Sequence, residues 1–382
     1  MGRKARVLGP VVALVVAVVA VIVMQVRQPT TVAGSPTGTT PNTPSPAAAL
    51  PPNTDPVPSS TPDWMHPLKP GEKPPQFVLF SFDGAGSHEH WQRMLDISQK
   101  SNATFSGFLT GIYLLPGDQR GQYTGPGHAP GASSVGFGGS QQEVRTRIDD
   151  LNTALDRGME IGTHYNGHFC RGAEPSVGRW DANGWRQELT EFFTFFDQAT
   201  KQGLRVDPSS VKGGRTPCLE GRFDVLFPVL AERGMTYDSS KVSDGLAWPR
   251  QEDGGIWEFR MPIVRVPALN RKVIMMDYNL WFSLNQAKED ASRRAEFTEI
   301  TLNTYRAAYN AALQGNRAPM VIGNHFNDWA GGAFASAVEK FMPEVCTKPE
   351  TVCTTYSQVI KWMRMQPAEV LAALQKQPNA QS

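Results

Sequence analysis

From residue 77 onward, short apolar runs alternate with longer stretches whose apolar positions recur at helical spacing. Residues 77–82 (Phe-Val-Leu-Phe-Ser-Phe) have the density of a strand buried on both faces. A helix is expected over 90–100, a strand over 104–109, a Gly/Pro-rich loop over 116–140, a helix over 141–156 and a strand over 159–163. The pattern continues with helix 185–201, strand 210–213, helix 222–233 and a short strand at 235–237. Strands at 257–261 and 272–276, a helix over 296–313, a strand at 318–323 and helices over 334–341 and 358–375 complete it. Alternation of this kind implies an α/β fold, a mainly parallel sheet with helices outside it. Seven or eight such repeats predict a (β/α) barrel rather than an open sheet.

The first 75 residues follow another pattern. Arg3, Lys4 and Arg6 precede an apolar run over 11–24 that extends loosely over 7–26. About twenty apolar residues span a bilayer, and basic residues on the N-terminal side favour an N-in orientation. Gln25, Val26 and Arg27 stand where a small-residue cleavage site would follow, so residues 1–27 are expected to be an uncleaved transmembrane signal anchor, with secretion the outcome if the segment is cleaved. Residues 28–75 are rich in Pro, Thr, Ser, Ala and Gly without aliphatic periodicity, which predicts a disordered linker. The barrel, 76–345, would then work outside the cytoplasm, with 346–382 as a helical extension.

Composition adds limits. The net charge is +1 with 19% charged residues, so nothing suggests a nucleic-acid partner. Four cysteines, an even number in an exported chain, favour disulfides. The expected pairs are Cys346–Cys353 and Cys170–Cys218, although four cysteines allow three pairings; no Cys-x-x-Cys metal pattern occurs.

Barrels of this type carry their chemistry at the C-terminal ends of the strands. Asp83, His164 with His168, Arg215, Asp277 and His325 all follow expected strands on that side. His164 and His168, four apart, can face one point if they lie on a helical turn. With Asp83 they would make a three-ligand metal site that leaves a position for water. Bound metal lowers the pKa of that water and polarises a carbonyl. Arg215 would hold a base carboxylate through a charge-assisted bond, and His325 would be the acid. The reaction class is metal-assisted hydrolysis of an acyl group.

The order of these motifs resembles the polysaccharide deacetylases of the NodB type, carbohydrate esterase family 4. Ser81-Phe-Asp-Gly-Ala-Gly86 stands where that family has Thr-Phe-Asp-Asp-Gly. His164-Tyr-Asn-Gly-His168, preceded by Glu160-Ile-Gly-Thr163, is similar to its His-x-x-x-His motif, and Arg215-Thr-Pro217 to its Arg-x-Pro. Met235-Thr-Tyr-Asp-Ser-Ser240, Trp257-Glu-Phe-Arg-Met-Pro262 and Val321-Ile-Gly-Asn-His325 resemble three further segments. The resemblance implies a distorted barrel over about 77–341, a zinc or similar divalent ion on Asp83, His164 and His168, and catalysis by Asp83, Arg215 and His325. It also implies removal of N- or O-linked acetyl groups from an envelope or extracellular polysaccharide: peptidoglycan, chitin-like or xylan-like.

One departure stands out. The family has two adjacent aspartates, the first a base and the second a metal ligand; here Gly84 follows Asp83. Either Asp83 is the base and the ion keeps two histidines, or Asp83 swings onto the ion and the base is water or another carboxylate. Asp277 is a candidate for the missing ligand, with capping or salt-bridging as its alternative role. Gly84 also motivates a second reading, a degenerate barrel that binds glycan without hydrolysing it. His88 and His90 read as the solvated start of a helix; Trp91, Trp180 and Trp185 read as packing residues. Trp248, Trp257 and Trp329 lie near motif loops where an aromatic wall for a sugar would stand, with packing favoured for Trp257. The Gly-rich run 125–139 reads as a surface loop.

Overall fold

A computed structural model describes residues 62–382. The expected anchor, 1–27, and the linker as far as residue 61 lie outside the described residues. Among the described residues no helix is long and apolar enough to cross a membrane.

The chain begins with β1 (Gln76–Asp83), α1 (His88–Lys100), β2 (Ser106–Leu109), α2 (Gln141–Asp156) and β3 (Glu160–Thr163). It continues through α3 (Ala182–Thr200), β4 (Gly213–Gly214), α4 (Phe223–Glu232), β5 (Tyr237–Asp238), β6 (Val242–Asp244), β7 (Arg250–Gln251), β8 (Trp257–Glu258) and β9 (Met261–Val266). The last part holds β10 (Arg271–Ile274), α5 (Asp277–Asn285), α6 (Arg294–Gln314), β11 (Met320–His325), α7 (Trp329–Cys346), β12 (Thr351–Cys353), α8 (Tyr356–Met365) and α9 (Ala368–Lys376). Local signals explain several boundaries. Ser140 caps α2 in a capping box with Glu143. Pro367, which has no N–H to give, separates α8 from α9 where one helix was expected over 358–375.

The main sheet runs β11-β1-β2-β3-β4-β5-β8-β7, with β12 also beside β1. All eight residues of β1 are buried, as a strand between parallel neighbours requires. The sheet is parallel from β11 to β8 and curls into a half-barrel whose edge strand, β7, is antiparallel. The expected closure fails at two places. The segment expected as one strand over 257–261 divides: β8 joins the main sheet and β9 enters a separate three-stranded sheet, β10-β9-β6. The strand expected at 272–276 is β10, which pairs antiparallel with β9. Arg271 and Lys272 are exposed while Val273 is buried, the pattern of a half-solvated ribbon and not of a barrel stave. A single parallel bridge, Met276 to Gly323, still ties its end to β11 and delivers Asp277 to the strand-end face.

Both segments flanking the expected barrel are woven into it. The end of the expected linker is ordered against the domain: Met65 is buried, Trp64 meets Phe77 edge-on at 5.7 Å, and the Leu68 N–H donates to Gln366 Oε1. Beyond residue 345, β12 pairs with the first half of β1 (Gln76 with Thr351, Val78 with Cys353) while β2 pairs with its second half. Disulfides join Cys170 to Cys218 and Cys346 to Cys353, the pairs expected from the sequence.

Candidate active site

The parallel register of β1 and β11 places Asp83 directly beside His325 at the C-terminal edge of the sheet. Arg215 reaches the same point from the turn after β4. Gly214 permits this, because a Cβ there would lie 1.9 Å from the Thr163 carbonyl; strand and neighbour approach too closely for any side chain. Arg215 Nη1 donates to Asp83 Oδ1 at 2.8 Å, and both side chains are buried. Its other donors are engaged too: Nε on the Ser239 carbonyl, Nη2 on Ser81 Oγ, Ser239 Oγ and Tyr356 Oη. Burial alone would raise the Asp83 pKa, but the Arg215 charge, helped by His325, outweighs it and holds the carboxyl below its usual range.

His325 is in the opposite state. Its ring Nδ1 lies 2.7 Å from Asp277 Oδ1, and its backbone N–H donates to Asp277 Oδ2 at 2.6 Å. Burial opposes the imidazolium, yet the Asp277 charge and hydrogen bond prevail and the pKa is raised. Asp277, weighed from the sequence as a substitute metal ligand, instead spends both oxygens on His325. That fixes Nδ1 as the donor and points Nε2 away from Asp277.

The segment 164–168 is not the helical turn the spacing suggested. Tyr165 and His168 have φ of 57° and 56°, and the chain forms an irregular loop. Glu188 of α3 holds it: Oε1 accepts from the Asn166 and Gly167 N–H groups, and Tyr123 Oη donates to Oε2 at 2.9 Å. The Asn166 amide donates to the Glu188 carbonyl. Burial pushes the Glu188 carboxyl up to about 7. Sequence reasoning missed Glu188, although the signal existed: a carboxylate inside the apolar stripe Trp185, Leu189, Phe192. The Gly-rich loop also buttresses this segment, since the Ser134 N–H donates to the Gly167 carbonyl and His128 stacks on Phe169 at 3.6 Å.

The two histidine rings lie 5.3 Å apart. His164 Nδ1 sits 2.8 Å from the Arg215 carbonyl, which makes it the donor and leaves Nε2 with a free lone pair. That Nε2 is buried and has no hydrogen-bond partner among the described residues. Burial depresses the pKa of His164 to about 4 and of His168 to about 3, so both are neutral, the form that ligates a metal. Two donors therefore fit a divalent ion. The Asp83 carboxylate gives Oδ1 to Arg215, and among the described residues its oxygens do not lie in one cluster with both imidazoles within 4.8 Å. Gly84 adds no donor, though a Cβ there would meet only ordinary contacts, the nearest 3.7 Å away on Tyr113 Oη. Among the described residues, three potential ligand groups converge at His168, Cys170 and Cys218. The sulfurs of that group are bonded to each other and offer no thiolate.

Around the site, Trp329 lies 5.0 Å from the His325 ring and stacks on Trp281, which makes it an aromatic flank. Trp248 and Trp257 are buried packing residues, as are Trp91, Trp180 and Trp185. His90 is not solvated as expected: it is buried, stacked on Phe326 and 3.3 Å from Asp328. His88 is half-exposed and paired with Asp150.

No protein-family model matches the chain, and no curated protein does. Solved structures do resemble it. A protein from Mycobacterium smegmatis assigned as a polysaccharide deacetylase has 18% identity, with 83% of this chain and 97% of that one covered and a TM-score of 0.48. A family 4 carbohydrate esterase from Streptomyces lividans, in complex with acetate, has 13% identity over 74% of this chain and 94% of that one, with a TM-score of 0.39. A CE4 pseudoenzyme from Bacillus anthracis has 12% identity over 77% and 67%, with a TM-score of 0.41.

Proposed function

We propose that this domain hydrolyses an acetyl ester or amide on a polysaccharide, with Asp83 as general base and His325 as general acid. One observation carries the reading: register partners on adjacent strands are paired with opposite charges, Asp83 with Arg215, which lowers its pKa, and His325 with Asp277, which raises its pKa. An acid and a base side by side, with pKa values pushed apart, are what acyl hydrolysis requires.

Asp83 Oδ1 is occupied by Arg215, so Oδ2 is the oxygen that accepts a proton from the attacking water. Arg215 keeps that carboxylate in place and charged. His325 Nε2 donates its proton to the leaving oxygen or nitrogen as the acyl bond breaks, and Asp277 steadies the ring through the transfer. A divalent ion, zinc being the natural choice for two imidazoles, would sit on His164 and His168 and supply an acidified water and a polarised carbonyl. The polysaccharide substrate is carried by the motif order and by Trp329 beside the acid, where the apolar face of a sugar can rest. Two disulfides suit an oxidising compartment, which agrees with an anchored, extracytoplasmic enzyme.

Gly84, where a second aspartate would stand, favours a second reading, glycan binding without hydrolysis. Full-length protein supplied with zinc and incubated with acetylated glucosamine polymers and acetylated xylan separates them. Acetate release that falls by about a thousandfold or more in Asp83→Asn and in His325→Ala supports hydrolysis. Glycan binding with neither zinc uptake nor acetate release rejects it in favour of the second reading.

A further inference from the structure

We infer that Tyr356, from the segment beyond the expected barrel, is a positioning residue for the Asp83–Arg215 pair. The inference rests on the hydrolytic reading above. Its motif residues do not include this tyrosine, which lies 141 residues from Arg215 and 275 from Ser81 in the chain.

Arg215 has to satisfy a guanidinium with no access to water, and an unpaired donor on a buried charge is costly. Nη1 is met by Asp83 and Nε by the Ser239 carbonyl. The Nη2 group faces a triangle of hydroxyls: Ser239 Oγ at 2.9 Å, Ser81 Oγ at 3.1 Å and Tyr356 Oη at 3.1 Å. Tyr356 closes that triangle, since its hydroxyl donates to Ser81 Oγ at 3.1 Å and the Ser81 hydroxyl in turn donates to the Ile322 carbonyl of β11. The guanidinium is thereby tied to both β1 and β11, the two strands that carry Asp83 and His325. Arg215 also lies over the Phe108 ring, 5.0 Å from its centroid, so its plane is fixed from the side.

The tyrosine itself has no freedom to adapt. Its ring stacks on Tyr237 at 5.0 Å and 7°, and meets Phe259 edge-on at 5.1 Å. It opens α8, whose Thr355 cap accepts from the Gln358 N–H, directly after β12 is paired along β1. The Cys346–Cys353 disulfide closes the loop that leads into β12. The chain after residue 350 thus returns through the sheet to place one hydroxyl against the arginine that holds the base.

Tyr356→Phe is the informative change, because it keeps the ring packing and removes only the hydroxyl. Three measurements on the full-length protein are compared with wild type: thermal stability, the pH dependence of acetate release, and the 15N side-chain NMR signal of the Arg215 guanidinium, identified by its loss in Arg215→Lys. A kcat reduced by about tenfold, a KM changed by less than about twofold, and an acid limb moved up by about half a unit are expected, together with faster solvent exchange at the Arg215 signal. An unchanged Arg215 signal overturns the inference. So does a loosened Arg215 signal with an unaltered rate and acid limb in an active enzyme. If neither protein releases acetate while the Arg215 signal loosens in the variant, the hydrolytic reading fails and the positioning role of Tyr356 stands.

Discussion

Glu188→Gln isolates the carboxylate that shapes the histidine loop. In the native protein the Glu188 carboxyl is buried and its pKa rises from 4.5 to about 7. The folded state therefore binds the proton more tightly than the unfolded chain. Stability contributed by the neutral form is fully present below about pH 4.5 and is lost progressively as pH rises to about 7, beyond which the loss is constant. A shift of about 2.5 units at about 1.4 kcal/mol per unit amounts to about 3.5 kcal/mol between the two limits. Glutamine reproduces the geometry: its carbonyl can accept from the Asn166 and Gly167 N–H groups, and its amide can face Tyr123, whose hydroxyl turns to accept. The variant should match wild type near pH 4.5 and exceed its stability at pH 8 by about 1–3 kcal/mol. Urea unfolding followed by tryptophan fluorescence from pH 4.5 to 8.5 measures both curves. Parallel curves, or a variant that is weaker at pH 8, would refute the reasoning. Glu188→Ala should instead lose about 2–4 kcal/mol at every pH, because two loop N–H groups are left without an acceptor.

Two further outcomes follow from the same geometry. Removing the Cys170–Cys218 bond by paired serine substitution should lower stability by about 4 kcal/mol, against about 2 kcal/mol for Cys346–Cys353, because the closed segments differ in length (48 and 7 residues); denaturant midpoints in oxidised samples give the comparison, and equal losses would contradict it. Gly84→Asp should place a carboxylate beside the histidine loop, tighten zinc binding by about tenfold or more and reduce stability by about 1 kcal/mol, because Gly84 has φ of 65° but a Cβ there would make only ordinary contacts; calorimetric zinc titration that shows no gain would mean that this position does not face the two imidazoles.

The extent to which sequence revealed this protein varies with the range of the forces involved. Strand β1 was legible because eight consecutive buried positions leave a local imprint, and α2 because its capping box is written in four residues. The strand-end rule brought Asp83, Arg215 and His325 to one edge, and the pairing of the cysteines was legible from their placement. The second sheet was less so: β10 carries an alternating pattern that a short segment shares with many barrel strands, and its partner β9 decides its place. The shape of the histidine loop escaped because the grip comes from Glu188 on another helix. Asp277 was found with two roles open, ligand or salt-bridging residue, and the structure shows the salt bridge; nothing local reveals that both its oxygens face His325. Tyr356 left no mark at all, its partners being supplied entirely by strands far away in the chain.

The most direct test of the account is the pH dependence of kcat/KM for acetate release by the full-length, zinc-supplied protein and by its Asp277→Asn variant. The account predicts a wild-type rate sustained through neutral pH and lost only above the ordinary histidine range, because His325 carries its proton there. Asp277→Asn should pull that basic limb to lower pH by about one unit and reduce the plateau by about a hundredfold. A basic limb that does not move when Asp277 is neutralised would contradict the assignment of His325 as the acid, and with it the central claim.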